Sequence, residues 1–337
     1  MKVLQISQYF APRIGGVEKH LVKLNQELIK AGYQVTVLAG NQELDLEKRE
    51  LIDQVLVHRI DNRPSNNYKL KIWKQVLTNR KLLIDADIIH VHDVFWWIIP
   101  IYPFIFKKLF ITFHGHEKSE APNKKAIFWH RLANKLCKGS IVVGGFHQKY
   151  YKVKADKIIF GASEKENFSK NKRFENKFIF VGRLITETGI LTYLKALKIL
   201  QNKKIKYQLD VYGDGPLMNK AKKYVEKMKL TVNFHGTVPD AEKLFTDYPI
   251  AFVSSYLSIT EALKQGCRVI AHYHNQFIKD YLELSIFKDY IFTAQTPQEI
   301  AQAILKAPKT KKFDQEASQI LTWSRIAEIY QKLWLKK

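Results

Sequence analysis

FVSSYLSITEALKQGCRVIA, residues 252–271, decides the fold. A short apolar run ends at two serines, an amphipathic stretch follows, Gly266 closes it, and a second β-branched run begins at Arg268. Strand, loop, helix, turn and strand in that order form the repeating unit of a parallel sheet with right-handed connections. Working outward, the same alternation fills both halves. In the first half, strands are expected at 3–7, 35–39, 55–60, 87–92, 109–114 and 140–144. In the second half they are expected at 177–182, 207–212, 232–235, 250–254, 268–272 and 290–293. Continuous apolar runs of this length fit strands covered on both faces. Val17, Leu21, Leu24 and Leu28 give the first helix one apolar stripe, and Gly32 stands where a left-handed cap is wanted.

The chain has 337 residues, 46% of them apolar. That length implies two domains, since single cores stop growing at roughly 250–300 residues, and the apolar content excludes a disordered chain. The polar stretch GASEKENFSKNKRFENK, 161–177, reads as an interdomain linker. The expected division is a Rossmann-like domain over 1–160, the linker over 161–176 and a second Rossmann-like domain over 177–312. A C-terminal helix over 313–337 is expected to pack back toward the first domain. The fold class is α/β, with two parallel sheets facing an interdomain cleft, because ligands of open α/β sheets bind outside the carboxyl ends of strands. Only two cysteines occur, Cys137 and Cys267, read as core thiols in a reducing compartment. No signal peptide opens the chain and no run of 18 apolar residues exists, so a cytoplasmic location is expected, peripheral on the membrane at most.

The formal net charge is +23. Residues 1–61 are neutral, with 8 basic and 8 acidic side chains, whereas 62–152 hold 16 basic and 5 acidic, net +11. The excess in the first half is therefore local. Such an excess suits nucleic acid, an anionic membrane or an acidic substrate.

Polar residues cluster where strands end. Gly15-Gly16 open the first helix, which reads either as a tight turn or as a backbone that approaches an anion. His90, His92 and Asp93 end one strand, and His114, Gly115, His116 and Glu117 the next. Paired histidines suggest metal, but no H-E-x-x-H occurs, so a ligand-facing His114 is the preferred reading and no metal is expected. In FVGRLITETG (180–189), Arg183 follows a strand, as a surface Arg or a diphosphate clamp. VYGDGPL (211–217) reads as a tight turn, and FHGTVPD (234–240) follows a further strand. Glu261 reads as a carboxylate for sugar or ribose hydroxyls, or as a helix N-terminal acid favoured by the macrodipole.

Together these blocks resemble the retaining glycosyltransferases of family 4, with the GT-B architecture of two Rossmann-like domains. The resemblance runs through GGVE (15–18), DIIHVHD (87–93), ITFHG (111–115), VGRL…TG (181–189), YGDGP (212–216), FHG.V (234–238) and the 255–271 region. It implies a nucleotide-diphosphate sugar as donor substrate, no permanently bound cofactor, no metal requirement, and an acceptor on the first domain. By the resemblance, Gly15 and Gly16 approach donor phosphate and acceptor, and His114 lies beside the transferred sugar. Arg183, with Gly182, Gly213 and Gly215 around it, binds the diphosphate. The backbone of Thr237 and Val238 meets the base, and Glu261 holds the ribose. A loop of Tyr256, Leu257, Ser258, Ile259 and Thr260 offers N–H groups to phosphate and sugar. Two departures stand out. The family's Lys before Gly189 is Thr188, and the first of its two glutamates is Val253. Lys264 or another base is then expected to compensate, or the chain binds nucleotide sugar without turnover.

On the acceptor side, 94–106 (VFWWIIPIYPFIF) reads first as a buried helix, with a membrane-dipping aromatic edge as the alternative. Within 67–83, Leu70, Trp73 and Leu77 share a helical face ringed by Lys69, Lys71, Lys74, Arg80 and Lys81. That face either packs on the sheet or lies on a membrane. No nucleic-acid motif appears. The local excess is therefore read as an address on an anionic membrane. The expected function is transfer of a sugar to a lipid-linked or polysaccharide acceptor. A degenerate nucleotide-sugar-binding protein and a nucleic-acid-binding protein are the alternatives.

Overall fold

The computed structural model describes residues 1–41, 46–115, 120–164, 176–306, 310, 311, 313 and 315–335. The chain divides into two compact units. One comprises Met1–Glu117, Pro122–Ile159 and Trp323–Lys337; the other comprises Phe160–Thr322 with Lys118–Ala121. Most of the expected linker, 165–175, lies outside the described residues; Ser163 bridges Thr322 within the second unit.

The first unit holds β1 (Lys2–Ser7), β2 (Gln34–Gly40), β3 (Arg49–Ile52), β4 (Val55–Ile60), β5 (Ile88–His92), β6 (Leu109–Phe113), β7 (Gly139–Val143) and β8 (Lys157–Ile159). They form one sheet in the order β3-β4-β2-β1-β5-β6-β7-β8, parallel except for the β3–β4 hairpin. Its helices are α1 (Gly16–Lys30), α2 (Tyr68–Thr78), α3 (Arg80–Asp85), α4 (Tyr102–Ile105) and α5 (Lys124–Leu136). The second unit holds β9 (Lys177–Val181), β10 (Gln208–Tyr212), β11 (Val232–Gly236), β12 (Ile250–Phe252), β13 (Arg268–His272) and β14 (Ile291–Ala294), all parallel, in the order β11-β10-β9-β12-β13-β14. Its helices are α6 (Ile190–Asn202), α7 (Met218–Met228), α8 (Tyr256–Lys264), α9 (Gln276–Glu283), α10 (Pro297–Lys306) and α11 (Gln315–Ile320). The last helix, α12 (Trp323–Trp334), belongs to the first unit.

Strand order fixes which face each helix covers. The chain moves one way from β1 to β2 and the opposite way from β4 to β5, β6 and β7. With right-handed crossovers, α1 covers one face, while α2, α3, α4 and α5 cover the other. α12 joins α1 on its face, where Tyr33 meets Trp334 edge-on at 5.9 Å. In the second unit, α6, α7 and α10 close one core around Leu194, Leu197, Leu209 and Ile300.

Two expectations are revised here. The face of α2 that packs on the sheet carries Ile72 and Val76; Leu70 and Leu77 are 63% and 40% exposed. The 94–106 segment is a 3-10 turn over Phe95–Ile101 followed by α4, rather than one buried helix. Phe95, Trp97, Ile98, Ile101 and Ile105 are buried, while Phe104 is 77% exposed. Pro100 and Pro103 explain the break, since each lacks a helical donor. Among the described residues no helix is long and apolar enough to cross a membrane.

Candidate functional site

At the carboxyl edge of the first sheet, β5 and β6 bring His92, Asp93 and His114 together. His92 Nδ1 lies 2.7 Å from His114 Nε2, and its Nε2 lies 2.8 Å from Gln5 Oε1 on β1. The Gln5 oxygen accepts from His92 Nε2–H, so neutral His92 accepts at Nδ1 from His114 Nε2–H. His114 then carries its lone pair at Nδ1. Asp93 takes a left-handed φ of 63°, and its carboxylate accepts from the His114 backbone N–H at 3.0 Å. Asp tolerates that conformation better than most residues.

A second chain runs behind this one. The Trp334 indole donates to His90 Nδ1 at 2.9 Å, so His90 donates from Nε2 to Thr112 Oγ1 at 2.7 Å. Thr112 in turn meets the Tyr330 hydroxyl at 2.9 Å, and Tyr330 meets His20 Nε2 at 3.0 Å. Each hydroxyl thus accepts once and donates once, from α12 across β5 and β6 to α1. Burial holds all four histidines neutral: His20 is pushed down to about 4 and His90 to about 3, and neighbouring His20 adds to the effect at His90. His92 and His114 are driven well below the usual range by burial first and by their neighbours second. The place of His114 at a strand end was legible; its supports were not, although Gln5 and Thr112 stand out as polar residues inside apolar strands.

At the carboxyl edge of the second sheet, three loops are laced through their backbones. Gly182 N–H donates to Tyr212 O at 3.1 Å, Leu184 N–H to Asp214 O at 2.9 Å, and Gly213 N–H to Gly236 O at 2.7 Å. A Cβ on Gly213 would lie 1.9 Å from Gly182 O, and its φ is 134°, so only glycine fits. Arg183 is exposed beside this lacing and forms no ion pair among the described residues. Thr188 closes the loop by donating to Arg183 O at 2.6 Å or Ile185 O at 3.0 Å.

The remaining predicted residues are placed as follows. Gly15 caps α1 with its Cβ position occupied by the Glu18 carboxylate, whereas Gly16 faces open space. Thr237 is exposed and Val238 half-buried just after β11. Residues 256–260 are not a loop but the first turn of α8. Tyr256 N–H donates to Tyr281 OH and Ile259 N–H to Ser255 O, while the Tyr256 and Thr260 side chains are buried. Leu257 packs against Gly161, where a Cβ would lie 2.7 Å from the Leu257 nitrogen. Glu261 is 4% exposed in the second turn of α8. The buried Lys264 ammonium donates to the carbonyls of Ser163 and Glu164. Val253 is buried. His116 and Glu117 lie outside the described residues. No cluster of metal-ligating side chains occurs among the described residues.

Two family models tile the chain. Glycosyltransferase Family 4 matches residues 14–158, and Glycosyl transferases group 1 matches 162–320. A Campylobacter jejuni α-1,4-N-acetyl-D-galactosaminyltransferase, named for a diphospho-undecaprenol-linked saccharide, is 24% identical over 79% of each chain. Among solved structures, sucrose-phosphate synthase of Thermosynechococcus elongatus superposes with a TM-score of 0.75 at 16% identity, covering 99% of this chain and 98% of that one. HepE of Anabaena, crystallised with UDP and glucose, gives 0.70 at 16% identity over the full length of both. The fold is thus GT-B, two Rossmann-like units with parallel sheets.

Proposed function

The chain belongs to the glycosyltransferases of family 4, and from that premise we propose that it moves a sugar from a nucleotide-diphosphate donor to a lipid-linked acceptor, with retention of configuration. The observation that carries the donor half is the laced edge of the second sheet. Gly182, Gly213 and Gly215 let the loops after β9, β10 and β11 pack backbone to backbone, and Arg183 stands exposed beside them with no carboxylate partner among the described residues. Arg183 would balance the charge of the departing nucleoside diphosphate, and the Ser258 N–H at the start of α8 would add a donor. Glu261 would hold the ribose. His114, with its tautomer fixed through His92 and Gln5, would accept a hydrogen bond from a hydroxyl of the transferred sugar at Nδ1. No protein nucleophile is invoked; the protein's share is positioning and charge stabilisation.

The acceptor assignment draws on the Campylobacter relative, whose name carries a diphospho-undecaprenol group. It also draws on the outward apolar face of α2, where Leu70 and Leu77 are exposed among lysines and Phe104 projects from α4. Such a face suits the cytoplasmic surface of an anionic membrane.

A panel of nucleotide sugars tests this reading, with the product anomer assigned by NMR. Arg183→Ala and Glu261→Ala are each expected to lower turnover tenfold or more, about 1.4 kcal/mol or above. Unchanged rates in both folded variants would remove the site assignment. A second reading, nucleotide-sugar binding without turnover, is favoured by Thr188 and the buried Val253 where the family carries Lys and Glu. A nucleotide sugar that raises the melting temperature while no product forms under any acceptor would establish it.

A further inference from the structure

A basic groove lies on the same sheet face as α2, and the proposed function does not use it. Its volume is about 520 Å³, and it runs along α5 between the helix and the 152–154 segment. Lys124, Arg131, Lys135, Lys152 and Lys154 rim it, with Ile127, Phe128 and Leu132 as its apolar lining. All five cations are exposed, and none pairs with a carboxylate among the described residues. From residue 121 through 155 the sequence has eight Lys and Arg side chains and no Asp or Glu.

Three features point to an anionic surface as the occupant. First, α5 opens with Lys124 and Lys125 behind its Asn123 cap, so two cations sit at the positive end of the helix macrodipole. That placement works against the helix and becomes favourable when an external anion lies there. Second, Phe128 is 59% exposed beside half-exposed Trp129, their rings 5.7 Å apart, so aromatic area is offered along with the charge. Third, α5 is joined to α4 through the Tyr102 hydroxyl, which donates to Leu136 O at 3.1 Å. Exposed Phe104 on α4 and exposed Leu70 and Leu77 on α2 thus share one layer with the α5 groove.

We propose that the α5 groove binds the phosphates of anionic glycerophospholipid headgroups at a bilayer surface, with Phe128 and Trp129 entering the interface beside them. The proposal rests on the lipid-facing acceptor reading and adds a second anchoring point to it. Amphipathic surfaces of this kind bind through apolar insertion and lysine attraction together.

The test is partitioning of the full chain onto phosphatidylcholine vesicles with and without phosphatidylglycerol. Arg131→Gln/Lys135→Gln/Lys152→Gln is expected to weaken binding to the anionic vesicles roughly tenfold or more. Lys220→Gln/Lys223→Gln/Lys227→Gln on α7, which removes the same charge from the second unit, should leave binding near the wild-type level. Phe128→Ala should weaken it with no change of charge. If the α5 variants bind as wild type while Lys69→Gln/Lys74→Gln/Arg80→Gln loses binding, the α5 site is overturned and the membrane reading stands. If wild-type protein does not partition, both fall. Release of bound protein by millimolar glycerol phosphate would make the groove a site for soluble phosphate and overturn the lipid assignment. Tighter retention on duplex DNA than on anionic vesicles would overturn it as well.

Discussion

Gly213 shows how a single position ties local geometry to the donor edge. A methyl group there meets the Gly182 carbonyl, which is backbone and cannot swing aside. Gly213→Ala should therefore cost about 1–3 kcal/mol in denaturant unfolding and raise KM for donor, because the lacing of the β9 and β10 loops must shift. Gly189 is similar: its φ is 77°, and a Cβ would lie 2.3 Å from the buried His272 ring. The sequence offered Gly213 as a turn residue, since a G-D-G-P string predicts a turn equally well with or without a ligand. What it could not offer is the identity of the atom each glycine avoids, because those atoms belong to other strands. Arg183 was legible for the opposite reason. Its place after a strand is local information, and so was the position of His114.

At the scale of elements, α12 is the clearest case of a helix whose partners lie far off in sequence. Tyr330 and Trp334, one turn apart, reach Thr112, His20 and His90. Tyr330→Phe leaves two buried partners unmatched and should lower stability by roughly 1–3 kcal/mol, while an exposed change such as Lys332→Gln should not. Periodicity predicted one helix over 313–337, where the chain forms α11 and α12 instead, and it did not show the hydroxyl chain that α12 completes. The same limit applies to α2. Two apolar stripes coexist on it, Leu70/Trp73/Leu77 and Ile72/Val76, and composition does not say which one the sheet takes. The β3–β4 hairpin was missed because Asp53 and Gln54 turn with φ of 46° and 67° without the usual glycine. β8, three residues at an edge, is too short to announce itself. For the α2 face, neutralising Lys69, Lys74, Arg80 and Lys81 should weaken liposome binding while the melting temperature holds. Lys71 is best spared, since it holds Asp61 at 2.7 Å.

Across the whole molecule, buried histidines set the pH response. His20 and His272 titrate at about 4 and His90 at about 3 when folded, each lowered by burial first, against 6.5 when unfolded. Between these values the unfolded chain takes up protons that the native chain refuses, so stability falls as pH falls. The slope should be about 1.4 kcal/mol per pH unit for each histidine, beginning near pH 6.5 and continuing toward pH 4. Chemical denaturation at several pH values measures it, and a flat profile from pH 7 to 5 would contradict the neutral cluster. The net charge of +23 adds self-repulsion that grows in the same direction. The return of α12 to the first unit has one more consequence, for the order of synthesis. The β5 and β6 strands emerge from the ribosome long before the helix that covers His90, with the whole second unit made in between. The first unit to be translated is thus the last to be completed, and until then its α1 face waits open, with Thr112 and His20 still lacking the tyrosine that joins them.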